Sequence, residues 1–266
     1  MEYTTSQFGD AVMRDFRRRQ LVQQRSVTAS TGAELEAKAL GHPAFENLVV
    51  GESRATSLVA VFLDLTDFTG RTFWDDETEV ANLAHAVLSG FVSVVCAFGG
   101  YPLGLRGDGL FAGFGPGDPR VDSVCALSAC AFALNAVENG LNPQLDKAGI
   151  HRVQARAGLD YGRITFVRTG SRLHNEVNAI GFAANFAAKC EKKAKSWEII
   201  IGQNIAEQLP DAAAFSEHEK SPKPYQRNYE RRYYKFYDYW WRTTLPYLPG
   251  AIEQINGNPT STIAIN

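Results

Sequence analysis

The feature that most limits the folds open to this 266-residue chain is the apolar run at residues 57–63, which ends on Asp64. Its valine, leucine and phenylalanine side chains favour extended structure. The run lacks alternation between polar and apolar positions, and this predicts a strand that is buried on both faces. The chain is therefore expected to build a layered sheet around this strand.

The other periodic segments predict a mixed fold around it. Helices are predicted at residues 6–25, 78–98, 122–139 and 182–195, and further strands at residues 101–106, 110–114, 153–159, 163–167 and 198–201. The order is strand, helix, hairpin, helix, strands, helix, strand. This order favours an α+β fold in which helices layer a largely antiparallel sheet, and it does not match strict βαβ alternation.

Length and composition indicate one large domain with extensions, since 45% of the residues are hydrophobic and can fill a sizeable core. We divide the chain into an N-terminal helical extension (residues 1–52), a main domain that includes an aromatic C-terminal strand (residues 53–248) and a polar tail (residues 249–266).

The net charge and the spacing of the cysteines exclude several classes of protein. Twenty-seven Lys and Arg against 29 Asp and Glu give a net charge of −2, so there is no global basic field for nucleic acid or an anionic membrane. The four cysteines lack metal-binding or redox spacing, which favours reduced core thiols. There is no N-terminal signal-like run, and the apolar stretches at residues 84–98 and 124–137 are short and interrupted. The sequence therefore predicts a cytoplasmic protein without stable membrane insertion.

Residues 225–247 combine aromatic side chains with Arg and Lys. Such a mixture can stack on single-stranded nucleic acid. It can equally form a terminal strand whose rings cover the edge of the core or a dimer contact. We favour the second interpretation because of the overall charge.

Two aspartates occupy positions suited to a metal ion. Asp64 ends the predicted buried strand, and Asp108 lies in the tight turn 107–109 of the predicted hairpin. One or two carboxylates, completed by substrate phosphates and water, are the usual ligand set for Mg²⁺. The segment 65–70 should turn into a helix and leave free backbone N–H groups where a triphosphate can bind. Taken singly, each aspartate is more often a cap or turn residue.

The order of the motifs along the chain is more specific than any single motif. Residues 62–69 (FLDLTDFT), 99–101 (GGY), 107–114 (GDGLFAGF) and 156–162 (RAGLDYG) are followed by an Ile–Gly pair at 180–181, four residues ahead of Asn185. In order and spacing this series resembles the catalytic domain of class III adenylate and guanylate cyclases, over about residues 57–205.

The resemblance implies a fold related to the palm of polymerases, a head-to-tail homodimer and two Mg²⁺ or Mn²⁺ ions per site. It implies roles for residues matching the family's motifs: metal binding by Asp64, Asp108 and the backbone carbonyl of Leu65, phosphate-loop positions at Phe68 and Thr69, and catalytic contacts to the ribose and α-phosphate from Asn185 and Lys189. Lys189 stands where the family has Arg, which keeps the charge and loses the planar fork.

The base pocket departs from the family pattern. Gly104 and Asn178 stand where adenylate cyclases have the Lys and Asp that read adenine. Arg106 lies two residues further along the same strand and is expected to enter the pocket, and Phe62 is expected to press on the base. The alternative for Arg106 is an ion pair with Asp67. Because Arg only donates hydrogen bonds, it suits a base edge with carbonyl oxygens, with Asn178 pairing along the uracil edge.

The chain also resembles the small pyrimidine cyclases of bacterial Pycsar antiphage systems. This resemblance implies conversion of a nucleoside triphosphate, with UTP favoured and CTP second, into a cyclic second messenger that a separate effector reads. An adenylate or guanylate cyclase is a further alternative. A different class of answer is a catalytically silent, nucleotide-binding regulatory domain, although such domains usually lose a metal aspartate and both are present here.

Overall fold

The computed structural model describes residues 4–25 and 40–247, which form a mixed α+β fold. The helices are α1 (Thr5–Arg25), α2 (Phe68–Arg71), α3 (Glu77–Ala97), α4 (Pro119–Asn135), α5 (Asn142–Lys147), α6 (Phe182–Lys193), α7 (Gln203–Ala206) and α8 (Trp241–Thr244). The strands are β1 (Ser53–Thr66), β2 (Tyr101–Arg106), β3 (Gly109–Phe114), β4 (Gln154–Gly170), β5 (Asn175–Ile180), β6 (Ile199–Gly202), β7 (Phe215–Glu217), β8 (Lys223–Arg227), β9 (Glu230–Tyr234) and β10 (Phe236–Tyr239). The predicted fold class is confirmed.

The main sheet has the strand order β2-β3-β1-β4-β6-β10-β7, and β5 pairs with the distal half of β4. All neighbours are antiparallel except β4 and β6, which run parallel. Strand β1 lies inside this sheet, between β3 and β4. The sheet therefore has the antiparallel-rich character that the sequence predicts.

Both faces of β1 are covered, as the apolar run predicts. Val59, Val61 and Leu63 face a large core beneath α1, α3 and α4. Leu58 and Ala60 face the opposite way, into a smaller core beneath α6. Since successive side chains of a strand alternate between faces, Asp64 lies on the α6 side of the sheet.

Helices α3 and α4, the latter with its continuation to Lys147, are long and apolar enough to cross a membrane by length and composition alone. Their apolar side chains pack on the sheet, and 50% and 72% of the residues in their most apolar stretches are buried. Helix α1 joins the same core through Phe8, Val12 and Phe16. The hydropathy of these helices is therefore accounted for by the core that they build.

Strand β4 is longer than expected. Two strands are predicted at residues 153–159 and 163–167, but one strand runs through both. The glycine at 162 resembles a turn residue, whereas in the fold a side chain there would lie 3.3 Å from Ala183 Cβ of α6. Gly162 therefore serves close helix packing and does not break the strand.

Residues 223–239 are also more elaborate than a single terminal strand. Strands β8 and β9 form a separate antiparallel hairpin, and β10 returns to the main sheet between β6 and β7. Strand β5 was not predicted at all, because the stretch 175–180 is polar and half exposed. The polar tail 249–266 lies outside the described residues.

Candidate active site

Asp64 and Asp108 converge at one edge of the sheet. Asp64 is paired across the β1–β3 ladder with Gly109, the residue that follows Asp108. The Leu65 backbone N–H donates to the Asp108 carbonyl oxygen at 3.3 Å, which fixes the hairpin turn beside β1. A β-carbon at Gly109 would lie 2.8 Å from Asp64 Oδ1, so glycine is needed for the carboxylate to occupy this position.

The electrostatics of Asp108 reflect this proximity. Burial raises the pKa of the Asp108 carboxyl above its usual range, and the negative charge of Asp64 raises it further. Because the two negative charges repel each other, a positive charge bound between them would be stabilised. A bound divalent cation would relieve their repulsion and favour the ionised form of both.

Arg156 supplies part of that positive charge. Its Nη2 and Nε lie 2.8 and 3.1 Å from Asp64 Oδ2. The same Nη2 lies 2.6 Å from Glu191 Oε1, and Nη1 donates to the Ala194 carbonyl at 3.3 Å. The guanidinium therefore joins the metal-ligand candidate Asp64 to helix α6.

Glu191 is a buried acid next to this pair. Burial, followed by the charge of Asp64, raises the pKa of Glu191 to about 7, against the lowering effect of Arg156. No role was predicted for Arg156 or Glu191 from the sequence. Arg156 begins the 156–162 motif and is directly opposite Asp64 in the β1–β4 register, which is the signal that could have identified it.

The donor set at this edge fits a hard divalent cation such as Mg²⁺ or Mn²⁺. Asp64 and Asp108 offer carboxylate oxygens, which are the ligands that these ions prefer. The Leu65 side chain is buried in the core on the other face of β1, so only its backbone can take part. Within residues 4–25 and 40–247, no group of three or more acidic, His or Cys side chains forms a complete metal cage. Substrate phosphates and water would have to complete the coordination.

The predicted phosphate-loop residues lie at α2, directly after β1. The Phe68 side chain is buried in the main core, and the Arg71 guanidinium carbon lies 5.3 Å from its ring centroid. Phe68 can therefore reach a phosphate only through its backbone. Thr69 belongs to the same helix, and its side chain lies outside the described part of the structure.

Phe62 and Arg106 lie on the α6 side of the sheet together with Asp64. Phe62 is half-buried and stacks on Phe111 with ring centroids 4.7 Å apart. Arg106 is opposite Gly109 in the β2–β3 register and is exposed. Among the described residues there is no ion pair between Arg106 and Asp67, so the alternative interpretation of Arg106 finds no contact here.

Asn178 lies elsewhere. It is opposite Val167 in the β4–β5 register, whereas its neighbours Val177 and Ala179 pack in the small core with Phe62. By alternation, Asn178 is on the other face of this ribbon, where its Nδ2 donates to Thr169 Oγ1. One chain therefore does not bring Asn178 and Arg106 onto the same face of the sheet, and the base-reading role of Asn178 stays a prediction.

Asn185 and Lys189 are both exposed, one turn apart on α6. Lys189 Nζ donates to the Tyr225 hydroxyl at 3.2 Å and lies 5.0 Å from the centroid of that ring. Glu191 points inward from the same helix to Arg156. Since residues two apart on a helix point in nearly opposite directions, Lys189 faces away from the Asp64 of its own chain.

No family model matches the chain. Among curated proteins, a cytidylate cyclase of Escherichia coli is 26% identical over 178 residues, which are 63% of this chain and 38% of that protein. A second cytidylate cyclase from the same organism is 26% identical over 189 residues, and one from Staphylococcus aureus is 23% identical over 198 residues. The chain spans less than half the length of these relatives.

Solved structures share the fold. The adenylyl cyclase CyaB from Pseudomonas aeruginosa matches with a TM-score of 0.62 at 20% identity, covering 71% of this chain and 95% of that one. The guanylyl cyclase Cya2 matches with a TM-score of 0.59 at 19% identity, covering 72% and 94%. A class III adenylyl cyclase-like ATP-binding protein from Pseudomonas aeruginosa gives 0.57 at 18% identity, covering 74% and 44%. The resemblance drawn from the motifs is confirmed, and this chain has the fold of the class III adenylyl and guanylyl cyclases.

Proposed function

We propose that the chain is a nucleotidyl cyclase that closes a pyrimidine nucleoside triphosphate into its 3′,5′-cyclic monophosphate and releases pyrophosphate. The observation that carries this proposal is the convergence of Asp64 and Asp108 at the end of β1. Similarity to proteins named cytidylate cyclase supports the reaction class.

In this proposal Asp64 and Asp108 would hold two Mg²⁺ or Mn²⁺ ions, which would supply positive charge near the ribose 3′-hydroxyl and the departing pyrophosphate. Arg156 orients Asp64 by holding its Oδ2, which leaves Oδ1 directed toward Gly109. The backbone of α2 positions the phosphates, and Lys189 adds charge where it develops on the α-phosphate. No side-chain nucleophile is required.

We further propose that the active species is a head-to-tail homodimer. The support is the orientation of α6, which directs Glu191 toward the Asp64 of its own chain and exposes Asn185 and Lys189 on the outside. Residues that must meet the substrate but face away from their own metal site are best placed to serve the site of a second copy. Each dimer would then contain two composite sites.

For the base, we propose CTP ahead of UTP. The sequence favours UTP because Arg106 suits a carbonyl oxygen and Asn178 suits the uracil edge. The uracil-specific part depends on Asn178, which lies on the other face of the β4–β5 ribbon. The part that depends on Arg106 remains, and the O2 carbonyl of cytosine satisfies it as well as that of uracil. The similarity to relatives named cytidylate cyclase is what favours CTP over UTP in this proposal.

The experiment is incubation of the purified chain with each of the four ribonucleoside triphosphates and Mn²⁺, followed by mass identification of the product. We expect cyclic CMP, with cyclic UMP as the second product. Predominant cyclic AMP or cyclic GMP would overturn the pyrimidine assignment. No cyclic product from any nucleotide would favour the alternative of a silent nucleotide-binding domain.

We also propose that the product acts as a second messenger in antiphage defence, in the cytoplasm, through a separate effector protein. The support is the resemblance to small pyrimidine cyclases of such systems. Phage plating on cells that carry the native gene with its flanking genes, compared with the same fragment encoding Asp64→Asn, tests it. Equal plating efficiency on both strains across a phage panel would count against this role.

A further inference from the structure

The Lys189 side chain cannot fix the position of its own charge. It is exposed on the outer side of α6, and its compact ammonium group lies at the end of a flexible four-carbon stem. Holding such a side chain in one rotamer is opposed by a large loss of conformational entropy. A neighbouring group that holds the ammonium would therefore favour a reaction that depends on its position.

Tyr225 of strand β8 is the neighbour that contacts this ammonium. Lys189 Nζ donates to the Tyr225 hydroxyl oxygen at 3.2 Å and lies 5.0 Å from the ring centroid. Among the ion pairs of residues 4–25 and 40–247, none includes Lys189. The hydroxyl is a neutral acceptor, so it can orient the ammonium without offsetting its charge as a carboxylate would.

The Tyr225 ring is itself held in place. It is half-buried and packs against the apolar cluster that joins α6 to β6 and β10, which includes Phe186 and Phe236. Its centroid lies 5.5 Å from that of Phe182, with an angle of 64° between the ring planes. This edge-to-face geometry is favourable for aromatic pairs. The hydroxyl therefore has a defined position beside α6.

The β8–β9 hairpin that carries Tyr225 is anchored to the main sheet through Tyr234 of β9. The Tyr234 hydroxyl lies 3.0 and 3.1 Å from the two carboxyl oxygens of the buried Asp160, and it accepts the Asn204 backbone N–H at 3.1 Å. The Tyr234 ring meets Phe186 of α6 at an angle of 72°, with centroids 4.6 Å apart. Since β8 pairs with β9 along its whole length, this anchor also fixes Tyr225 relative to α6.

We propose that Tyr225 is a positioning residue for cyclisation, which holds the Lys189 ammonium in the orientation that contacts the α-phosphate at the metal site of the second copy. This inference rests on the proposed function and on the proposed dimer. The ammonium has three N–H donors, so one bond to Tyr225 leaves two for phosphate oxygens. Tyr225 acts through Lys189 and does not itself have to touch the reacting atoms.

The contact is tested first, without reference to activity. In a chain labelled with ¹³C at lysine Cε, the Lys189 signal is assigned by its loss in Lys189→Gln. We expect this signal to be shifted upfield by the Tyr225 ring, to stay shifted in Tyr225→Phe, which keeps the ring, and to lose the shift in Tyr225→Leu. The control Tyr229→Leu, at a fully exposed position of the same hairpin, should leave the signal unchanged. A Lys189 signal at the position of an exposed lysine in wild type would overturn the proposal.

The kinetic test uses Tyr225→Phe, which removes only the hydroxyl. We expect kcat to fall by about tenfold, the worth of one hydrogen bond to a charged group. KM should change by less than about twofold, because the contact is proposed to act in the transition state. Thermal melts should match wild type, and the control Tyr229→Phe should leave kcat unchanged.

A merely structural role is distinguished by repeating the change in a Lys189→Arg chain. Arg keeps the charge and carries a planar, pre-organised fork of donors, so it should depend less on Tyr225. We expect Tyr225→Phe to lower kcat by no more than about threefold in this background. A structural defect of the hairpin would instead lower kcat equally in both backgrounds.

Equal losses in the Lys189 and Arg backgrounds would therefore overturn the proposal. An unchanged kcat in Tyr225→Phe would overturn it as well, and a raised kcat would mean that Tyr225 holds Lys189 in a resting position that must be released. If wild type forms no cyclic nucleotide, the proposed function fails, and the NMR measurement still decides whether Tyr225 holds Lys189.

Discussion

Asp64 and Asp108 are the residues on which the proposed chemistry depends, and each can be replaced without creating a cavity. We predict that Asp64→Asn and Asp108→Asn each lower cyclic nucleotide formation by about 10³-fold, because a metal ligand worth several kcal/mol is lost. Circular dichroism and thermal melts should remain close to wild type. Substantial turnover in either variant would refute the assignment of the metal site.

Asp160 is a second acid whose pKa is strongly raised, and it lies in the interior of the fold. It is fully buried beneath the β8–β9 hairpin and accepts hydrogen bonds from the Tyr234 hydroxyl and the Tyr161 backbone N–H. Burial raises the pKa of its carboxyl to about 8, against these hydrogen bonds, and Glu207 adds a small repulsion. The folded chain therefore keeps a proton that the unfolded chain loses.

This difference in protonation between the folded and unfolded states fixes the direction in which stability changes with pH. Between about pH 4 and pH 8 the folded state binds more protons at this residue, so stability falls as pH rises. We predict that, across pH 5 to 7, wild type loses stability relative to Asp160→Asn by up to about 1.4 kcal/mol per pH unit. Urea unfolding at several pH values measures this. Parallel pH profiles for wild type and Asp160→Asn would contradict the prediction.

At the scale of elements, helix α6 can pack closely on β4 because Gly158 has no side chain. A β-carbon at Gly158 would lie 2.0 Å from the Glu191 backbone nitrogen and 2.3 Å from the Ala187 carbonyl oxygen. Since these are backbone atoms of a packed helix, the whole of α6 would have to move. That movement would carry Glu191 away from Arg156 and disturb the orientation of Asp64.

We therefore predict that Gly158→Ala lowers the free energy of unfolding by about 2 kcal/mol or more. The matched control is Gly104→Ala, because a β-carbon at Gly104 would meet no other atom within 4 Å. Chemical denaturation of both variants checks this. Equal stability would show that α6 accommodates the added methyl group, and it would remove close packing as the reason for glycine at position 158.

The elements that could be predicted from sequence are those with strong local periodicity. The apolar run of β1 and the long helices α3 and α4 follow from their own residues. Strand β5 could not be predicted, because it is polar and its pairing with β4 comes from a distant part of the chain. The side of the ribbon on which Asn178 lies depends on that pairing register, so it could not be predicted from the sequence.

The distinction between local sequence signals and long-range contacts also applies to the candidate site. The closeness of Asp64 and Asp108 could be predicted because each follows a local signal, a strand end and a tight turn. The pairing of Arg156 with Asp64 and Glu191 depends on contacts between β1, β4 and α6, which are separated by up to 127 positions in the chain, from Asp64 to Glu191. Such contacts become visible only when the tertiary structure is known.

For the whole molecule, the decisive question is whether Asp64 and Lys189 act at the same site from different copies. In one chain, Lys189 is exposed on α6 and contacts Tyr225, whereas Asp64 is bound by Arg156 on the inner side of that helix. A chain with Asp64→Ala keeps a functional Lys189, and a chain with Lys189→Ala keeps a functional Asp64. If the dimer is head-to-tail, a hybrid of the two has one site in which both residues are intact.

We predict that each variant alone is nearly inactive and that an equimolar mixture recovers activity. Half of the randomly formed dimers are hybrids, and each has one intact site of two, so the mixture should reach roughly a quarter of wild-type activity. Product formation is measured after subunit exchange, with size-exclusion chromatography to verify that both variants remain dimers. The double variant Asp64→Ala with Lys189→Ala, mixed with wild type, is the control, because each site of its hybrids lacks either Asp64 or Lys189. Only the wild-type homodimers, about a quarter of all dimers, should then be active. A mixture of single variants that stays inactive while hybrids form would mean that Asp64 and Lys189 do not meet across the dimer.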